Sequence, residues 1–228
     1  MRGTCTCWTA ALALSLALPT LSYAGPCDIF ASHGTPCAAA HSVTRALYAN
    51  HAGPLYQLRR YGDDKTLDIH ALAPGGVANA AEHEKFCAEP HPPPAPPTPY
   101  PPGWPGKGYP ARADCVIEKI YDQSGNGNHL LISTPAVSNP AYNNPVNATR
   151  HPISMNGQRA YGAYFETGMG YRAQNTTKVA VGNEPETIYM VTSGTHLNAG
   201  CCCEHAVLFS CAHYASCSVF SNGLAWRS

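Results

Sequence analysis

Nine cysteines between Cys27 and Cys217 constrain the fold of this 228-residue chain more than any other feature. Whether they pair depends on the compartment, and the first residues speak to that. Arg2 supplies a positive charge, Ala10 to Leu18 form a short apolar run, and Ser22-Tyr23-Ala24 puts small residues where a signal peptidase reads. That is the pattern of a cleaved export signal over residues 1–24, which removes Cys5 and Cys7. The apolar run is too short to cross a bilayer, which takes roughly 20 apolar residues. No later stretch is long and apolar enough to be a membrane anchor, so a secreted, extracellular chain starting near Gly25 is expected. In an oxidising compartment most of Cys27, Cys37, Cys87, Cys115, Cys201, Cys202, Cys203, Cys211 and Cys217 should pair. The number is odd, which leaves at least one thiol over. Paired CxxC knuckles are absent, so neither zinc nor another metal is expected.

About 200 residues remain, a normal size for one domain. Charged residues make up only 12%, and the formal net charge is +0. With no cluster of Lys and Arg to meet a polyanion, nucleic acid is not an expected partner. A neutral composition rich in Tyr, Asn and Gly suits a neutral polar ligand, with carbohydrate the obvious candidate.

Along the chain, Cys27 and Cys37 flank the turn-forming Ser32-His33-Gly34-Thr35-Pro36, which favours a local bridge. Ala38 to Tyr48 carries good helix formers and ends before His51-Ala52-Gly53-Pro54, so a helix is expected there. Leu55 to Tyr61 and Thr66 to Leu72 alternate as hairpin strands around Gly62-Asp63-Asp64, and Ala78 to Phe86 reads as a short helix. Residues 88–112 hold about half of the 21 prolines and favour extended polyproline II. An inserted loop is preferred to an interdomain linker, because Cys87 and Cys115 sit at its shoulders and loop closure costs little more as a loop lengthens. Val116 to Tyr121, His129 to Ser133, Ala160 to Phe165 and Thr187 to Thr192 are further strands. Short strands between Gly/Asn/Pro turns predict an all-β sandwich or jelly roll. The sequons Asn147-Ala148-Thr149 and Asn175-Thr176-Thr177 make Asn147 and Asn175 glycosylation candidates.

Three motifs invite a chemical reading. Cys201-Cys202 can form a vicinal disulfide, a rigid turn whose sulfur surface suits an apolar sugar face. From spacing alone, separate bridges elsewhere are favoured, and Cys203 leaves the pairing open. Asp122 and His129, in Tyr121-Asp122-Gln123-Ser124-Gly125-Asn126-Gly127-Asn128-His129, could be acid and base, but a turn in which Asp122 bonds its own backbone is favoured. Asn156-Gly157 is a hairpin signal. No nucleophile elbow, phosphate loop, dinucleotide fingerprint or HExxH is present.

Taken together, Gly25-Pro26-Cys27-Asp28-Ile29, Gly34-Thr35-Pro36-Cys37, Thr44-Arg45-Ala46-Leu47-Tyr48, Gly75-Gly76-Val77-Ala78-Asn79-Ala80, Ile120 to Leu130, Asn156-Gly157-Gln158 and Gly194-Thr195-His196 leading to Cys201-Cys202 resemble the catalytic domain of the fungal α-L-arabinofuranosidase B family, glycoside hydrolase family 54. The resemblance runs in order over residues 25–204. It implies a concanavalin-like β-sandwich, bridges Cys27–Cys37 and Cys87–Cys115, and a vicinal Cys201–Cys202 disulfide lining the arabinose subsite. It also implies retaining removal of terminal L-arabinofuranose from plant-wall arabinan and arabinoxylan, by a Glu nucleophile and an Asp acid/base, without metal or organic cofactor and as a monomer. The resemblance departs after Glu204. Val219-Phe220-Ser221-Asn222-Gly223-Leu224 is the nearest match to the family's nucleophile segment, with Ser221 where the Glu belongs and Val219 where a sugar-contacting Asp belongs. Asn222 and Gly223 would then match substrate contacts, and no catalytic residue is expected within the chain. Residues 205–228 read as a divergent tail of an incomplete sandwich. The competing expectation is a non-catalytic sugar-binding sandwich.

Overall fold

The computed structural model describes residues 24–94, 113–132, 144–166, 169–193, 216–219 and 224–227. Among the described residues two short helices, α1 (Pro26–Ser32) and α2 (Ala80–Ala88), accompany eleven strands. The strands are β1 (Cys37–His41), β2 (Pro54–Arg60), β3 (Thr66–His70), β4 (Cys115–Ile120), β5 (Leu130–Ile132), β6 (Pro152–Met155), β7 (Gln158–Tyr161), β8 (Tyr171–Gln174), β9 (Thr187–Met190), β10 (Ser216–Val219) and β11 (Leu224–Arg227). A six-stranded sheet runs β10-β8-β5-β4-β2-β3, a three-stranded sheet runs β1-β11-β9, and β6-β7 form a hairpin. Every strand pairing is antiparallel.

The pleat of β2 separates its two faces. Tyr56 and Leu58 lie opposite Ile69 and Leu67 on β3, and opposite Ile120 and Ile117 on β4, so one face is apolar across three strands. Gln57 lies opposite Asp68 and Lys119 on the other, polar face. Ala38 and Ala39 of β1, with Ile188 and Met190 of β9, join the core cluster that holds Leu55, Tyr56, Leu58, Ile117 and Tyr171. Residues of the smaller sheet thus pack with the apolar face of the larger one, as in a β-sandwich.

Three local expectations fail, the shortest miss being the strand expected over Ala160 to Phe165, which as β7 ends at Tyr161. Residues 38–48 are not a helix: Cys37 to His41 form β1, with all five residues buried. Helix propensity is a weak prior, and here small alanines meet a space where burial and strand pairing decide the backbone. Between Cys27 and Cys37 the chain is not merely a disulfide loop. Pro26 begins α1, and Asp28 reaches back to the amide of Gly25 in a capping box.

The Asn156-Gly157 signal does mark a turn, between β6 and β7, with φ of 51° and 75° at the two residues. Both lie in the left-handed region that a type I′ hairpin turn demands. The structure contains the bridges Cys27–Cys37 and Cys87–Cys115. The second ties the end of α2 to the start of β4. Beside it, Arg60 is buried, stacks on the Phe86 ring at 4.5 Å, and pairs with Asp63 and Glu89 at 2.7 Å each. Among the described residues no helix is long and apolar enough to cross a membrane.

Candidate functional site

The segment from Tyr121 to His129 is densely hydrogen-bonded, and its work is visible from β1. In the three-stranded sheet β1 is an edge strand, with one side on β11 and the other without a strand partner among the described residues. Side chains of the 122–128 turn fill that second side. Asp122 Oδ1 accepts from the Ala40 amide at 2.8 Å, and the Gln123 amide donates to the Ala40 carbonyl at 2.7 Å. The Ala38 carbonyl accepts from Ser124 Oγ at 3.1 Å and from the side-chain amides of Asn126 and Asn128 at 2.9 Å each. The turn therefore substitutes for a neighbouring strand, and it satisfies backbone groups that burial would otherwise leave unpaired.

Asp122 is the centre of this clamp. Its Oδ1 also accepts from the Ser124 amide at 2.9 Å, and its Oδ2 accepts from the Asn128 amide at 3.0 Å and Ser124 Oγ at 2.7 Å. This buried carboxylate takes three backbone amides, and the single Ser124 hydroxyl proton is shared between it and the Ala38 carbonyl. Gln123 Oε1 takes the Leu47 amide at 2.7 Å. Asn128 reaches further, bonding the amide and carbonyl of Thr177 at 2.8 and 2.9 Å.

The two histidines near Asp122 are turned to backbone rather than to its carboxylate. His41 Nε2 donates to the Asn128 carbonyl at 2.7 Å, and His129 Nδ1 accepts the Asp122 amide at 3.0 Å. Burial lowers the pKa of both, more than the neighbouring Asp122 charge raises it. Neutral imidazoles with one nitrogen each on backbone are scaffold. Asp122 and His129 accordingly form a turn, not an acid/base pair.

A second cluster lies under α2. His83 is fully buried, its Nδ1 2.8 Å from the Tyr56 hydroxyl and its ring stacked on Tyr161 at 4.3 Å. Burial pushes its pKa down to about 4, against opposing effects of Glu84 and the Ala148 carbonyl. Tyr161 donates to Glu84 at 2.9 Å, and Arg159 pairs with Glu84 at 2.7 Å. On the polar face, Asp68 accepts from Gln57 and Tyr121, both at 2.8 Å, and burial, then Asp68, pushes the Tyr121 hydroxyl up to about 12.

A glycosidase needs two carboxylates facing a common space, about 5 to 5.5 Å apart for retention. Thirteen of the 14 acidic residues fall among the described ones, Glu204 being the exception. Besides Asp122, the fold itself engages Asp28, Asp63, Asp64, Asp68, Glu82, Glu84, Glu89, Glu118 and Glu184. Among the described residues no group of three His, Cys, Asp or Glu is placed to hold a metal.

The sugar-contact candidates Cys201, Cys202, Asn222 and Gly223, together with Ser221, Cys203, Cys211 and most of the proline-rich stretch, lie outside the described residues. The sequons are described. Asn147 Oδ1 accepts from the amide and hydroxyl of Thr149 at 2.9 and 3.0 Å. Asn175 is exposed at the end of β8 with φ of 57°, a conformation Asn tolerates well. What sequence reading missed is the pairing of Ser124, Asn126 and Asn128 with β1. The available signal was a run of short polar side chains and glycines too dense for a simple turn.

Such an arrangement defines a class: a disulfide-bonded antiparallel β-sandwich with a side-chain clamp along one sheet edge. Comparison with known proteins narrows the class to a family. Residues 26–91 and 107–207 match the sequence model of "Alpha-L-arabinofuranosidase B, catalytic", and the chain belongs to that family. It is 44% identical over 190 residues to the probable alpha-L-arabinofuranosidase B of Aspergillus terreus, covering 82% of this chain and 33% of that protein. It is 42% identical over 201 residues to alpha-L-arabinofuranosidase B of Emericella nidulans, covering 86% and 35%. A crystal structure of arabinofuranosidase complexed with arabinofuranosyl-α-1,2-xylobiose superposes with a TM-score of 0.64 at 42% identity, over 78% of this chain and 33% of that one. The chain thus spans about a third of the length of these relatives. Residues 92–106, inside the proline-rich stretch, fall between the two matched segments.

Proposed function

We propose that this chain is part of the catalytic sandwich of a secreted, retaining α-L-arabinofuranosidase that removes terminal L-arabinofuranose from arabinan and arabinoxylan. The match to the catalytic family over residues 26–91 and 107–207 carries this reading. The related structure bound to arabinofuranosyl-xylobiose supports the substrate class. In this reading Cys201–Cys202 forms the sugar platform, Asn222 and Gly223 contact the sugar, and Asn147 and Asn175 carry glycans. No cofactor takes part, since a carboxylate nucleophile and a carboxylic acid suffice for retention.

The second element of the proposal is that the 228 residues do not turn substrate over by themselves. Its support is the carboxylate inventory: ten of the acidic side chains are engaged by the fold, and beyond Glu186 the sequence offers only Glu204. Incubation of the purified chain with 4-nitrophenyl α-L-arabinofuranoside tests this. Nitrophenol release no faster than in buffer is expected. Ready turnover abolished by substituting a carboxylate within the chain would overturn the inventory argument.

A further inference from the structure

We propose that Asp28 is the docking carboxylate for the α-ammonium group created when the export signal is cut between Ala24 and Gly25, so that processing completes an ion pair within the fold. The inference rests on the secretion reading above. It adds a site that cleavage creates.

Geometry carries it. Gly25 is buried, whereas Ala24 before it is exposed. The Gly25 nitrogen lies 2.7 Å from Asp28 Oδ2, and the same oxygen accepts the Ala49 amide at 2.6 Å. A Cβ at position 25 would collide with the Leu47 carbonyl, which itself accepts the Cys27 amide at 3.1 Å. Glycine is therefore required there. The Cys27–Cys37 bridge fixes the segment two residues further on.

In the uncut chain the Gly25 nitrogen is a neutral amide. Signal peptidase adds water across the Ala24–Gly25 bond: Ala24 leaves as a carboxylate, and the Gly25 nitrogen keeps its bonding electrons and takes up protons. The same atom, at the same 2.7 Å, then carries a full positive charge. A charge-assisted hydrogen bond is about twice as strong as a neutral one. The positive end of α1 works against an ammonium there, and Asp28 in the first turn offsets it. A cut one residue earlier would put the charge on the exposed Ala24. A cut one residue later would remove the glycine nitrogen.

Tyr48 is a titratable group near Asp28. Burial first, then Asp122 and Asp28, pushes its hydroxyl up to about 12. It stays neutral where an α-amino group titrates, ordinarily about 7.7–8.0.

The test uses the chain expressed with its leader and recovered from the medium. Intact mass and N-terminal sequencing should give Gly25. Selective acetylation of the α-amino group should then lower the folding equilibrium constant about tenfold, and less than twofold in D28N. The α-amino group of the unmodified chain, followed by its rate of acylation against pH, should titrate at least about one unit above its ordinary value. A mature terminus elsewhere overturns the proposal at the cut itself. A Gly25 terminus whose acetylation is without effect, or is equally costly in D28N, overturns the ion pair and leaves secretion standing. In D28N the carboxamide oxygen can stand where Oδ2 does and still accept both bonds, so the variant removes the charge, and the titration of the unsubstituted chain decides independently. An ordinary midpoint there refutes the pair.

Discussion

Replacing Asp122 by Asn separates a scaffold from a catalyst. The carboxylate takes two donors on each oxygen: the Ala40 and Ser124 amides on Oδ1, the Asn128 amide and the Ser124 hydroxyl on Oδ2. A carboxamide keeps one oxygen. Its best orientation leaves that oxygen on the Oδ1 pair and turns the NH2 toward the other. Ser124 can adapt by accepting instead and donating to the Ala38 carbonyl, already 3.1 Å away. The Asn128 amide cannot. One orphaned buried N–H costs about 1–3 kcal/mol, and the surviving bonds lose their charge assistance at roughly 1 kcal/mol each. The expected destabilisation of D122N is about 3–5 kcal/mol, a large share of the 5–15 kcal/mol typical of a whole domain. Urea titration followed by circular dichroism measures it, with the midpoint falling and the slope unchanged. S124A, which removes a hydroxyl from the same clamp, should cost about 1 kcal/mol. If D122N lost under about 1 kcal/mol while sugar recognition or hydrolysis vanished, Asp122 would be a chemical group and the clamp argument would be wrong.

Acid sensitivity follows from His83. Its folded pKa of about 4 lies below its unfolded value of about 6.5, so the neutral form is favoured by folding. The contribution is present above pH 6.5 and lost as pH falls toward 4, about 3 kcal/mol in all. H83Q should show a correspondingly shallower loss of stability between pH 7 and pH 4, with His41 contributing in the same sense in both proteins. Deleting residues 92–106, which lie between the family-matched segments, should leave the melting temperature within a few degrees of the parent, because Cys87–Cys115 and the Arg60 ion pairs hold the shoulders. A collapse of the melting transition would show that the stretch is part of the core.

The sequence made some elements legible because their signals are local. Alternation in Leu55–Arg60 and Thr66–His70, and Asn156-Gly157 between two strands, need only neighbouring residues to act. Strand β1 was illegible because Ala38-Ala39-Ala40 is a strand only through partners more than 80 positions away, in the clamp and in β11. Asp122 was readable as a turn former, but its bond to the Ala40 amide was not. Helix α1 was hidden inside a loop bounded by cysteines, although Pro26 and Asp28 are a start signal. Sheet order was beyond reach, since β5 pairs with β8 and β2 with β4 across long connections that no local pattern specifies.

Recognition of arabinofuranose by this sandwich is the property on which its function turns. Calorimetric titration of the purified chain with methyl α-L-arabinofuranoside, alongside methyl β-D-xylopyranoside and with released arabinose quantified in the same cell, decides it. Saturable binding of the arabinofuranoside alone, with no arabinose released, is the predicted result. Equal binding of both sugars, or of neither, by a chain that unfolds cooperatively would contradict it.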